Sequence, residues 1–156
     1  MENGRVRKTY LRHLLIAGAA WLTAAPSQLA VAQAVEETSF FLIVDGSTLA
    51  LFEFPVTSRT VTVERGDQCI QKITTNDAEI LVFDLAAGVL LAAGQGSLVV
   101  RATVDCDTGF YTYERAVVRG GGIVVSPATG EEFRLKVIAT ASNGEIILLT
   151  IALDPV

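Results

Sequence analysis

Short apolar runs recur along the chain, each ended by a polar or glycine-containing stretch. SFFLIV (39–44) stops at Asp45-Gly46, and STLALFEF (47–54) stops at Pro55. RTVTVE (59–64) alternates strictly, with Val61 and Val63 on one side and Thr60, Thr62 and Glu64 on the other. That period of two belongs to a strand rather than a helix. Arg65-Gly66-Asp67 then leads into QCIQKI (68–73), and EILVFDL (79–85), VLLAA (89–93) and SLVVRATV (97–104) follow. FYTYERAVV (110–118), IVVS (123–126), EEFRLKVIAT (131–140) and EIILLTIAL (145–153) complete the series. Gly94-Gln95-Gly96, Gly120-Gly121-Gly122 and Asn143-Gly144 read as turns between these runs. β-Branched segments punctuated every ~8–14 residues predict an all-β, antiparallel domain of about 8–10 strands. The architecture expected is a β-sandwich, immunoglobulin-like or similar, or a small barrel.

Two regions carry more detail. TNDAEILVFDLAAGVLLAAG has a helix-like start at Asn76 and a glycine at its end, so 77–93 fits either one buried helix or two strands. Val82, Phe83 and Val89 favour two strands. The second region is the C-terminal pair joined by Asn143-Gly144, a dipeptide suited to the positive φ angles of a two-residue hairpin turn. That turn places Ser142 opposite Glu145, Thr140 opposite Ile147, Ile138 opposite Leu149 and Lys136 opposite Ile151. Phe133, Leu135, Val137, Ala139 and Ala141, beside Ile146, Leu148 and Ala152, then form the core face. Ile147, Leu149 and Ile151 fall on the other face and call for cover, from SFFLIV or from a partner.

The first 34 residues read differently from the rest. Arg5, Arg7, Lys8 and Arg12 precede the apolar stretch HLLIAGAAWLTAA, and Ala32-Gln33-Ala34 has the small-residue pattern of a cleavage site. This is the layout of a secretory signal peptide, cleaved after Ala34, with one domain over 35–156 in a secreted or periplasmic protein. Of the 12 basic residues four lie in this leader, and of the 17 acidic residues only Glu2 does. Eight basic residues against 16 acidic ones remain, a net charge of −8. Nucleic acid needs a basic footprint, so it is not an expected partner. The runs are short and continuously apolar, unlike the alternating strands of an outer-membrane barrel, so no membrane insertion is expected once the leader is gone.

His13 is the only histidine and leaves with the leader. No Ser-His-Asp or Cys-His constellation and no histidine-ligated metal site can then be built, and neither a cofactor nor a metal is expected. Cys69 and Cys106 are the only cysteines, 106 − 69 = 37 residues apart. In an oxidising compartment they predict one disulfide. Asp105 and Asp107 flank Cys106 and disfavour a thiolate, and the spacing of acids fails an EF-hand at its sixth and twelfth positions. Both aspartates are read as turn formers.

Tyr111 and Tyr113 share one side of a strand with Arg115, which makes them a candidate interaction surface beside Ile147, Leu149 and Ile151. Asp105, Asp107 and Glu114 are the densest acid group, yet a domain of this size has difficulty forming the cleft that carboxylate hydrolysis uses. No catalytic residue is assigned. The expected function is a non-catalytic secreted module that binds or assembles with other proteins, itself included; a small secreted barrel acting as a carrier or inhibitor that binds an apolar ligand is the alternative, and a carboxylate hydrolase a distant third.

Overall fold

The structure is a computed structural model and describes residues 21–23 and 37–156. Apart from 21–23, the expected leader lies outside the described residues. The strands are β1 (Trp21–Thr23), β2 (Glu37–Asp45), β3 (Thr48–Pro55), β4 (Arg59–Arg65), β5 (Gln68–Asp84), β6 (Val89–Asp105), β7 (Tyr111–Val125), β8 (Glu132–Ser142) and β9 (Glu145–Pro155). All pair antiparallel in one sheet, in the order β1-β2-β3-β5-β6-β7-β8-β9, with β4 also on β5. The described residues contain no α-helix. The fold is therefore all-β with one disulfide, and 77–93 divides between the end of β5 and the start of β6 around a turn at 85–88.

The strands are longer than their sequence punctuation implied. Both β5 and β6 run 17 residues and β7 runs 15, straight through three of the stretches read as breaks. Thr74–Asp77 is a register shift inside β5, and the two glycine triplets sit inside β6 and β7 facing each other, Gly96 opposite Gly122. A Cβ on Gly96 would lie 2.0 Å from the carbonyl oxygen of Gly121, closer than any real contact. These glycines permit close approach of two backbones rather than a turn.

The long strands let one sheet fold over on itself. β3 and β4 run end to end along β5, separated by a 3₁₀ turn at Val56–Ser58 that lies opposite the shift between Thr75 and Ala78. Across the core the Phe41 ring of β2 meets the Tyr111 ring of β7 edge-on, with centroids 6.2 Å apart. Asp45 at the end of β2 accepts a hydrogen bond from the Ile151 amide of β9 at 3.4 Å, so the two sides of the sheet meet. Phe41, Phe52, Phe54, Ile80 and Leu98 are fully buried between them. Each such side chain contributes about 1.5–3 kcal/mol through burial.

Cys69 and Cys106 form the expected disulfide, with Cα atoms 5.1 Å apart. It closes the open end of the β5–β6 hairpin, where the Cys106 amide donates to the Asp67 carbonyl at 2.8 Å. Closing a loop of 37 residues restricts the unfolded chain by about 4 kcal/mol.

The C-terminal hairpin departs from its expected register. Ser142 faces Glu145 as anticipated, but beyond Ala141–Ile146 a bulge leaves Ile147 unpaired, and Thr140 faces Leu148 while Ala139 faces Leu149. A slip of one residue exchanges the two faces of a strand. Leu149 thus enters the core at 5% exposure, with Ile151 and Leu153 packed beside it, and Leu148 turns outward at 47%. The assignment of Leu148 and Ala152 to the core face, and of Leu149 and Ile151 to the outer one, is corrected accordingly.

Candidate interaction surface

The void beside Phe41, Val100 and Tyr111 holds about 10 Å³, roughly the volume needed for a single water. Near the disulfide, Asp105 Oδ1 accepts from the Asp107 amide at 2.9 Å, from the Thr108 amide at 2.9 Å and from the Thr108 hydroxyl at 3.2 Å. These bonds, the Thr108 amide first, hold its carboxyl below the usual carboxylate range. Asp105 is a turn former, committed to its own loop.

The five residues expected to form a contact surface do not come together on the outside. Tyr111 and Tyr113 are each only 7% exposed and belong to the core. Opposite them β6 and β7 lose register between Ala102 and Val104, and Thr103, itself buried, holds the detour with its hydroxyl: it donates to the Arg115 carbonyl and accepts from the Arg115 amide and the Thr112 hydroxyl. Tyr113 adopts a φ of 62° there, and its carbonyl accepts from the Gly144 amide at 2.9 Å, docking the last hairpin turn on this detour. The Tyr111 hydroxyl is buried with no hydrogen-bond partner. Burial pushes its phenol well above the ordinary value, against the pull of nearby Arg59 and with Tyr113 adding to the rise. Leu149 is core, Ile151 is partly buried, and of the five only Ile147 is exposed, at 57%.

The surface that sequence reasoning missed is the edge of β4. Among the described residues β4 pairs only with β5, while β2 pairs with β3 from Thr38 opposite Pro55. Register places Val63 opposite Cys69 and Val61 opposite Gln71, on the side of the sheet that is elsewhere core. Yet Val61 is 51% and Val63 72% exposed, while Cys69 and Gln71 are covered. The alternation of RTVTVE was legible, but the exposure of its valines was not, since that depends on which strands lie beside β4.

Compared with protein-family models, with curated proteins and with solved structures, the chain matches none. The surface therefore stands on its own geometry. On its outward side β4 is tied to β7 by an ion pair between Glu64 and Arg115. The hydrogen bond from Arg115 lowers the Glu64 carboxyl below its ordinary value, and the same bond raises the guanidinium of Arg115. A shallow cavity of about 130 Å³ opens beside the pair, lined by Ile70, Arg101, Thr103, Arg115 and Val117. The pair fixes β4 in place without covering its edge.

Proposed function

We propose that the chain is an exported, non-catalytic β module that works by association with other polypeptides, through strand addition to the open edge of β4. The observation that carries this reading is the exposure of Val61 and Val63 on the core side of a strand with one neighbour. An edge of this kind presents unpaired amides and carbonyls at alternate residues and templates a further strand. The occupant we favour is β4 of a second copy. Antiparallel pairing about Thr62 sets each Val61 against the partner's Val63, so the contact is self-complementary.

Other observations fit better with this reading than with its rivals. A carrier of apolar ligands needs an empty interior, whereas the void beside Phe41, Val100 and Tyr111 holds only about 10 Å³. The core side is apolar and the outer side carries Lys72, Arg101, Arg119 and Lys136, the reverse of a barrel facing lipid. Export is supported by the basic and apolar leader together with the disulfide.

Sedimentation of the purified chain over a range of concentrations tests the proposal. The expected result is a reversible dimer that Val63→Lys converts to a monomer with unchanged circular dichroism, since Val63 supports no core contact. A wild-type chain that stays monomeric throughout, or a dimer indifferent to Val63→Lys, would overturn it.

A further inference from the structure

The chain is acidic, yet its cations are gathered. Of the eight basic residues in the described part, Lys72, Arg101, Arg115, Arg119, Arg134 and Lys136 occupy outward positions of β5–β8, and only Arg59 and Arg65 lie elsewhere. Register arranges five of the six on a diagonal. Lys72 stands opposite Arg101 in a cross-strand row continued by Val117, Thr140 and Leu148. The next row holds Thr74, Val99, Arg119, Ile138 and Thr150, and the third holds Ser97, Gly121, Lys136 and Ala152. Arg134 follows one row on, opposite Ile123 and next to Asp154. With strands about 4.8 Å apart and same-face residues about 6.8 Å apart along each, the stripe is roughly 25 Å long.

The paired residues of its first three rows include no acid, and the one acid bordering them in β5 is Asp77, exposed in the bulge across from Ser97. Glu64 lies close enough to Arg101 to feel its charge, but its carboxylate is bonded to Arg115. Like charges directly opposite each other, as Lys72 and Arg101 are, destabilise a sheet. At the middle of the stripe a groove of about 520 Å³ runs between Arg119 and Lys136 over the backbone of Gly120-Gly121, with Ser97 and Val99 on one side and Ile138 on the other. A glycine floor flanked by two cations admits a chain of anionic groups where any side chain would block it.

We infer that this stripe is a binding track for a linear anionic polysaccharide, carboxylated or sulfated. The charge is complementary, repeated along a line, and raised on a chain whose remaining surface is acidic, so an anion is drawn to this face alone. No aromatic side chain occupies the rows, so the face offers neither the stacking platform that single-stranded nucleic acid uses nor the aromatic anchors of a membrane-surface binder. The track is independent of the β4 edge, which carries the proposed self-association.

Binding of heparin and of alginate to the purified chain, measured by calorimetry at several salt concentrations, tests the inference. The chain is expected to bind despite its net negative charge, with affinity falling steadily as salt rises. The double variant Arg119→Gln/Lys136→Gln should weaken binding about tenfold or more and flatten the salt dependence, because counterions released per bound chain fall with each cation removed. Arg65→Gln, off the stripe, should leave glycan affinity and its salt dependence unchanged, and the double variant should not alter the sedimentation behaviour. Failure of both glycans to bind at low salt, or binding that the double variant leaves intact, would overturn the inference. So would binding confined to duplex DNA or to vesicles containing anionic lipid.

Discussion

Removing the Tyr111 hydroxyl is expected to stabilise the protein. The ring is held in the core, only 7% exposed, and meets Phe41 edge-on at 6.2 Å. Its hydroxyl is buried without a hydrogen-bond partner. Leaving such a group unpaired costs about 1–3 kcal/mol, whereas phenylalanine keeps the same shape and the same ring contact. Tyr111→Phe should therefore gain about 1–2 kcal/mol in urea unfolding at neutral pH. For a domain of this size that raises the melting temperature by about 4–8 °C. Alkaline titration gives a second reading of the same group. Burial raises the folded phenol above its ordinary 10.0, so above that pH the unfolded chain ionises first and the native state holds the extra proton. The unfolded state binds fewer protons there, so stability falls as pH rises, by up to ~1.4 kcal/mol per unit, and it is unaffected below. Tyr111→Phe should lose that share of the alkaline slope. If the variant is no more stable than wild type at neutral pH, the hydroxyl has a partner and the reasoning fails.

Three further substitutions probe the fold. Replacing Cys69 and Cys106 together by alanine should lower stability by about 4 kcal/mol while leaving the spectrum β-rich, and titration of the unreduced, unfolded wild-type chain should find no free thiol. Gly96→Ala should cost about 3 kcal/mol or more by forcing β6 and β7 apart, whereas Gly46→Ala, at a φ of +63° in open space, should cost only about 1–2 kcal/mol; equal effects by denaturant titration would refute the close-approach reading. Leu149→Lys should prevent folding and Leu148→Lys should be tolerated, since the bulge at Ile147 buries the first and exposes the second; the reverse result by circular dichroism would restore the unbulged register.

The proposed anion track rests on a feature that a net charge does not carry. A net charge of −8 beyond Ala34 argued against nucleic acid as a partner, but a sum carries no position. Lys72, Arg101, Arg119, Lys136 and Arg134 are spread over 65 residues of sequence between 72 and 136. They meet on one face only because four strands pair in a particular register.

The residues alone determined the all-β class, the disulfide and the turns at Asp45-Gly46 and Asn143-Gly144. Each rests on something local: a period of two, a dipeptide that accepts positive φ, or the existence of only two cysteines. Asp105 was legible as a turn former for the same reason, because its partners Asp107 and Thr108 are its neighbours in sequence. Tertiary structure decided the rest. Glycine's freedom of φ and its lack of a Cβ cannot be told apart in a sequence, and the difference between a turn and Gly96 against Gly122 is what stands across the strand. The bulge at Ile147 likewise costs nothing visible in EIILLTIAL, where Ile146 to Leu149 are all apolar and either face would serve. It is chosen by the core, which takes Leu149, Ile151 and Leu153 beside Val137 and Leu135. The exposure of Val61 and Val63 on the core side likewise depends on which strands flank β4, something RTVTVE itself does not contain.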